Sequence, residues 1–327
     1  MELLEAIFIS PFVEMFSAPD FLIQVLWEGF VAGVLYALIA LGFVLIFKAS
    51  GVFNFAQGIM VVFAALALVG IYESLGSAGI DNRTVKAIVS LALTLALMYG
   101  LAFGVERFVL RPLVGQEDII LFMSTIGLTF MLIGGGQWIF GGEPKSMITT
   151  ELGLPTGDSV WEVFGGIVIF QHLDIAAAVI AALMIAGLAL FFSKTKVGRA
   201  LRAVADDHQA AVSVGIGLNQ IWVVVWFAAG IVALVTGIMW GAKSDVSFAL
   251  QIVALKALPV LVLGGFTSIP GAIVGGLIIG IGEKVFELYW GGLMGGGVES
   301  WFAFIIALIF LLFRPQGLFG EKIIERV

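Results

Sequence analysis

Long apolar runs without alternation dominate the chain. Uninterrupted stretches cover Phe21–Phe47, Val85–Phe103, Ile119–Phe140, Ile175–Phe192, Ile221–Gly241 and Val298–Phe313. A helix needs about 20 apolar residues to cross a hydrocarbon core of about 30 Å, whereas a membrane strand needs about ten in alternation. The runs therefore predict helices. Two further apolar regions are interrupted. Val52–Tyr72 opens on a polar cluster around Asn54 and Gln57, and Phe248–Phe286 breaks at Gly264–Gly271, GGFTSIPG. Two adjacent glycines, a Thr-Ser pair and a proline make an unbroken helix there unfavourable. The pattern predicts an all-α integral membrane protein, a polytopic bundle with two interrupted membrane segments. It has about seven transmembrane helices if GGFTSIPG is re-entrant and about nine if it is a full hairpin.

Composition agrees and narrows the field. Of 327 residues, 61% are hydrophobic and 12% charged, so a soluble enzyme, a nucleic-acid binder and a disordered scaffold are excluded as descriptions of the whole chain. There is no cysteine, and the two histidines, His172 and His208, lie far apart. No metal site and no catalytic residue is expected. The net charge of −7 argues against nucleic acid. No Lys or Arg precedes Lys48, so the basic n-region of a secretory signal is missing.

Basic residues cluster in Ser193–Gln220 (Lys194, Lys196, Arg199, Arg202), in Gly104–Asp118 (Arg107, Arg111) and after Phe313 (Arg314, Lys322, Arg326). The positive-inside rule assigns these segments to the cytoplasm. The acidic segment 1–20 and the acidic loop Gly141–Asp174 fall on the opposite, outer side. The N-terminus is expected outside and the C-terminus inside.

The 42 glycines recur at small-xxx-small spacing, as in Gly29/Gly33, Gly100/Gly104, Gly237/Gly241, Gly271/Gly275 and Gly276/Gly280. Such pairs let helix backbones approach closely, either within this chain or between subunits. Glu106/Arg107 and Glu283/Lys284 read as interfacial anchors or local ion pairs near helix ends. Glu28 lies early in the first apolar run, as a functional acid or as a residue of the outer headgroup zone.

The stretch Thr195–Asn219, TKVGRALRAVADDHQAAVSVGIGLN, reads as a short amphipathic helix ended by Gly215 and Gly217. It suits either docking into a partner's groove or a solvated topogenic loop. Here the chain resembles a known family. Gln209-Ala210-Ala211 followed by Gly215 is similar to the E-A-A-x-x-x-G coupling loop of ABC-importer permeases, with Gln in place of Glu. The surrounding GRALRAVADDHQAAVSVGI resembles the LIV-type, branched-chain amino acid version. In order along the chain, Tyr36–Gly58, Arg111-Pro112-Leu113, Met123–Leu132, Leu255–Gly280 and Phe313–Gly320 resemble the same family. Many relatives carry His where this chain has Gln57. The first 20 residues and the loop 141–174, with Trp161 and His172, match no pattern.

The resemblance implies a permease domain over residues 21–327, with a cytoplasmic coupling loop at about 193–220 and a periplasmic loop at about 141–174. It implies a bacterial inner-membrane subunit forming half of the pathway of a binding-protein-dependent importer for branched-chain amino acids or a related small polar solute. The implied partners are a second LIV-type permease, a paralogue rather than a second copy, two cytoplasmic ATP-binding subunits, a periplasmic solute-binding protein and lipid. ATP and magnesium belong to the partner ATPases, and this chain holds no cofactor. The implied coupling residues are Arg199, Arg202, Asp206, Asp207, Gln209, Ala210, Ala211 and Gly215. Polar residues at helix breaks, Asn54, Gln57, Ser124, Thr125, Thr267 and Ser268, are the candidates for the pathway. The rivals are a secondary transporter coupled to an ion at Glu28 or Asp245, and a passive channel for a small neutral solute such as urea.

Overall fold

A computed structural model describes residue 5, residues 7–206, 211, 213 and 215, and residues 217–320; of Ala205 and Asp206 it describes the backbone alone. In chain order the elements are α1 (Ser10–Ser17), α2 (Pro19–Ser50), α3 (Gln57–Ser77), α4 (Arg83–Gly104), α5 (Asp118–Phe140), β1 (Asp158–Val163), β2 (Gly166–Gln171), α6 (His172–Lys194), α7 (Lys196–Asp206), α8 (Leu218–Ser244), α9 (Leu250–Leu255), α10 (Ala257–Gly264), α11 (Ile269–Met294) and α12 (Phe302–Phe313). A π-helical turn, Val105–Leu110, and a 3-10 turn, Arg111–Leu113, extend α4.

Among the described residues seven helices are long and apolar enough to cross a membrane: α2, α3, α4 with its extension, α5, α6, α8 and α11. The run Val298–Phe313 predicted a full span, but its first residues form a 3-10 turn and α12 keeps only 12 residues. At 1.5 Å per residue that is about 18 Å, short of a hydrocarbon core of about 30 Å. GGFTSIPG is the turn of a helical hairpin. Ala257–Gly264 runs antiparallel to Ile269–Met294, with the Gly264 backbone touching that of Gly271 and the Val260 carbonyl facing Gly275. Pro270 sits in the first turn of α11, where its missing N–H is harmless, and the Ser268 hydroxyl caps the helix by accepting from the Gly271 N–H at 3.0 Å.

The chain divides into two compact units. The first comprises residues 1–40, 155–182 and 256–327. Its core is glycine-mediated: a Cβ at Gly29 would lie 2.6 Å from the Ile281 Cα, and one at Gly33 would lie 2.7 Å from the Gly276 oxygen. The loop that matches no sequence pattern holds an antiparallel hairpin, β1 against β2, pairing Val160 with Ile169 and Trp161 with Val168. Phe164 and Gly165 both have positive φ, as a two-residue hairpin loop requires. The hairpin packs on α2 through Phe170 and Trp27, whose ring centroids are 5.3 Å apart. His172 lies 2.8 Å from the Ser159 hydroxyl at the hairpin's base.

The second unit comprises residues 41–154 and 183–255, with α3 at its centre against α4, α5, α8 and α9. Helix α3 is buried continuously from Gln57 to Gly70, which an all-round apolar helix permits. A Cβ at Gly237 would stand 3.0 Å from that of Ala65, so α8 lies close on α3. The Trp222 indole donates to the Ala49 carbonyl at 3.2 Å, tying the start of α8 to the end of α2.

Candidate functional site

In the second unit the chain between α2 and α3 abandons helical geometry at Gly51, φ +68°. Asn54 accepts from the Ala56 N–H at 3.1 Å, an Asx-type turn that restarts the chain as α3. Its amide nitrogen lies 3.4 Å from the Gln57 Oε1, and the Gln57 Nε2 donates to the Ala229 carbonyl of α8 at 3.3 Å. The Thr125 hydroxyl of α5 accepts from the Phe55 N–H at 3.1 Å and lies 3.1 Å from the Phe53 carbonyl. Asn54 and Gln57 are fully buried and Thr125 nearly so. The structure thus gathers Asn54, Gln57 and Thr125 around one helix break, where buried backbone groups must find partners. The rings of Phe43 and Phe53 stack beside it at 5.5 Å. Gly42 gives the Gln57 amide its room, since a Cβ there would collide with it. Ser124 is not part of this group; its hydroxyl donates to the Leu121 carbonyl of its own helix at 2.6 Å.

Thr267 and Ser268 lie in the first unit, half-buried in the α10–α11 turn. The terminal FRPQGLFG segment closes on that turn. The Leu318 and Phe319 N–H groups donate to the Leu263 and Gly264 carbonyls at 2.8 and 3.1 Å. They satisfy carbonyls that a helix end otherwise leaves open. Gly265, φ +103°, and Gly317, φ +80°, supply the conformations and close approach this needs.

The stretch that resembles a coupling loop begins with a capped helix. The Thr195 hydroxyl accepts from the Gly198 N–H at 3.1 Å. Along α7, Leu201 and Val204 are buried while Arg199 and Arg202 are exposed, and the Arg202 guanidinium donates to the Phe192 carbonyl. Ala211 is helical and buried, and Gly215 is an exposed turn residue with φ +86°. Asp207, Gln209 and Ala210 lie outside the described residues, as does the Asp206 side chain.

Several charged residues fall differently from their sequence reading. Glu106 is 1% exposed on the π-turn and pairs with Arg111 at 3.0 Å, not with its neighbour Arg107, which points to the surface. With its amide turned to suit both neighbours, Asn219 donates to Glu106 at 3.2 Å and accepts from Arg111 at 2.9 Å. Successive helical residues diverge, so i,i+5 on a π-turn meets where i,i+1 cannot. Glu283 is not near a helix end. It lies mid-way along α11, fully buried, and takes Lys256 at 2.9 Å and the Tyr36 hydroxyl at 2.6 Å, while Lys284 pairs with Glu299 at 2.7 Å. Tyr36 and Lys256 went unnoticed in the sequence. Their signal was a lysine and an acid inside apolar runs, VALKALPV and GIGEKVF. Glu28, half-buried, accepts from Gln24 at 2.8 Å at the level where Gln24 also takes the Ile169 N–H of β2. Asp245 is exposed directly after α8, with φ +59°. Among the described residues no three His, Cys, Asp or Glu side chains are placed to hold a metal.

Known proteins are similar to this chain in sequence. A family model described as branched-chain amino acid transport system / permease component matches residues 25–313. The chain is 29% identical to the high-affinity branched-chain amino acid transport system permease protein BraD of Pseudomonas aeruginosa, over 93% of this chain and 98% of that one. It is 26% identical to the permease protein LivH of the corresponding Salmonella typhimurium system, over 94% and 98%. It is also 27% identical to the ribose import permease protein RbsC of Escherichia coli, over 84% and 79%. A helical membrane fold, a capped amphipathic helix after α6 and a family match over most of its length together make this chain a member of the branched-chain amino acid transport permease family, the LIV-type permeases of ABC importers.

Proposed function

We propose that this permease forms half of an inner-membrane pathway for branched-chain amino acids or a closely related small polar solute. A second LIV-type permease supplies the other half, two ATP-binding subunits energise it, and a periplasmic protein delivers the solute. The observation that carries the solute class is the near full-length similarity to BraD and LivH, whose names give that transport. The N-terminus lies outside and the C-terminus in the cytoplasm, which puts the basic α7 segment on the ATPase side.

In this reading α7 and the following turn at Gly215 take up the motion of the closing ATPases. Arg199 and Arg202 face out for contact, while Leu201, Val204 and Ala211 hold the segment to the permease. Asp206, Asp207, Gln209 and Ala210 complete the coupling set. The break held by Asn54, Gln57 and Thr125 lines the solute's route, together with Ser124, Thr267 and Ser268. Breaks of this kind put backbone N–H and C=O groups within reach of a passing polar solute.

The test is purification of the tagged chain in mild detergent with mass spectrometry, followed by uptake of labelled leucine in cells lacking other leucine carriers. Co-purifying ATPases, a second permease and ATP-dependent leucine uptake are expected. Purification without any ATPase in several detergents would refute the importer reading. An intact complex that ignores leucine, isoleucine and valine would refute the solute.

A further inference from the structure

The Tyr36, Lys256 and Glu283 cluster belongs to none of the roles above. It lies wholly within the first unit. Glu283 is 0% exposed, Tyr36 2% and Lys256 7%. Each Glu283 oxygen takes one donor, from the Tyr36 hydroxyl at 2.6 Å and from the Lys256 ammonium at 2.9 Å. Lys256 also donates to the Tyr36 oxygen at 3.3 Å and lies 5.6 Å from its ring centroid. Each pair among the three is thus joined by a hydrogen bond.

Its place makes it more than a surface tie. Tyr36 is near the middle of α2, Glu283 near the middle of α11, and Lys256 precedes the first residue of α10. Glycines bring α11 close to each of the other two helices. Gly33 meets Gly276, Gly264 meets Gly271, and Val260 meets Gly275. Such packing brings backbones close but offers few knobs to fix an axial position. A charge at that depth is costly when unpaired. The triangle therefore penalises every axial setting but one. Replacing a buried ion pair by apolar groups is often neutral or stabilising, so bulk stability does not account for it. A single buried polar group that selects register is the better-attested use of such a device.

We propose that Tyr36, Lys256 and Glu283 are positioning residues that set the register of α10 against α2 and α11 for transport. The inference rests on the importer reading but needs no particular solute. Three variants test it in the assembled importer: Tyr36→Phe, the neutral double variant Lys256→Met/Glu283→Leu, and the exchanged pair Lys256→Glu/Glu283→Lys. Uptake is normalised to assembled complex.

Tyr36→Phe should assemble normally and lower the maximal uptake rate roughly three- to tenfold, with half-saturation unchanged because the delivered solute is bound elsewhere. The neutral double variant should assemble and lose at least about tenfold. The exchanged pair should recover a measurable part of that loss. Wild-type maximal rates in Tyr36→Phe and in the neutral double variant would overturn the proposal. So would an exchanged pair that assembles yet transports no better than the neutral one. If the neutral variant fails to assemble, the maximal rate of Tyr36→Phe decides alone. Absence of any ATP-dependent uptake by the unmutated complex would instead sink the importer reading.

Discussion

Gly33→Ala gives the sharpest test of the glycine-mediated core. The added Cβ would lie 2.7 Å from the Gly276 carbonyl oxygen, 3.0 Å from the Leu277 Cα and 3.2 Å from the Gly276 carbonyl carbon. All three are backbone atoms, so no rotamer change relieves the contact. Restoring an ordinary 3.4 Å contact to the oxygen requires α2 and α11 to part by about 0.7 Å at this point. The neighbouring approach of Gly29 to Ile281 opens with it. Overpacking of this kind costs about 1–3 kcal/mol, roughly a 5- to 150-fold change in an unfolding equilibrium. A matched control exists in the same chain. Gly100, inside α4, has nothing within 4 Å of a Cβ; there alanine gains about 0.8–1 kcal/mol of helix propensity. The assay is thermal and denaturant unfolding of both variants, purified beside the parent protein in one detergent. Gly33→Ala should fall below the parent and Gly100→Ala should equal or exceed it. If Gly33→Ala is as stable as Gly100→Ala, the close approach of α2 and α11 is wrong.

Three further outcomes follow from the same contacts. Gly215→Val places a β-branched residue at φ +86°, a conformation costing about 1–3 kcal/mol; ATPase activity of the complex should persist while solute moved per ATP falls severalfold, and unchanged stoichiometry would remove Gly215 from the coupling set. Gly42→Ala drives the Gln57 amide off its bond to the Ala229 carbonyl, so uptake should drop with assembly intact; unaltered uptake would return Gln57 to a purely structural part. Asn219→Leu should destabilise by about 1 kcal/mol, because the buried Glu106 loses a donor, and Glu106→Gln should cost less, because the partners it leaves, Arg111 and Asn219, are open to water. Their effects should be less than additive in a double variant, and strict additivity would deny that the two side chains meet.

Much of the architecture was legible because the membrane admits few solutions. Apolar runs long enough to span must be helices, so five of the seven long spans among the described residues coincide with uninterrupted runs, while α3 and α11 lie in the two interrupted regions and the run Val298–Phe313 keeps too short a helix. The break at GGFTSIPG was equally visible, because glycine and proline act on the backbone whatever surrounds them. What hydropathy could not supply is partnership at a distance. The FRPQGLFG segment and the α10–α11 turn are separated by some fifty residues and meet through backbone hydrogen bonds, which leave no side-chain pattern. The hairpin at Asp158–Gln171 is short, and its exposed Val160, Ile167 and Ile169 blur the alternation that marks a strand.

The charged residues show the limit most clearly. Adjacency in sequence suggested Glu106 with Arg107 and Glu283 with Lys284, yet adjacent residues on a helix project about 100° apart. Geometry instead gives Glu106 to Arg111 and Glu283 to Lys256. Here the lipid makes the physical rule stricter than in water. A buried acid amid apolar helices must have a donor within reach, and the donor is found by asking which distant apolar run also carries an unexplained cation. Applied to this chain, that rule pairs the lysine of VALKALPV with the acid of GIGEKVF, and the tyrosine of the first span completes them.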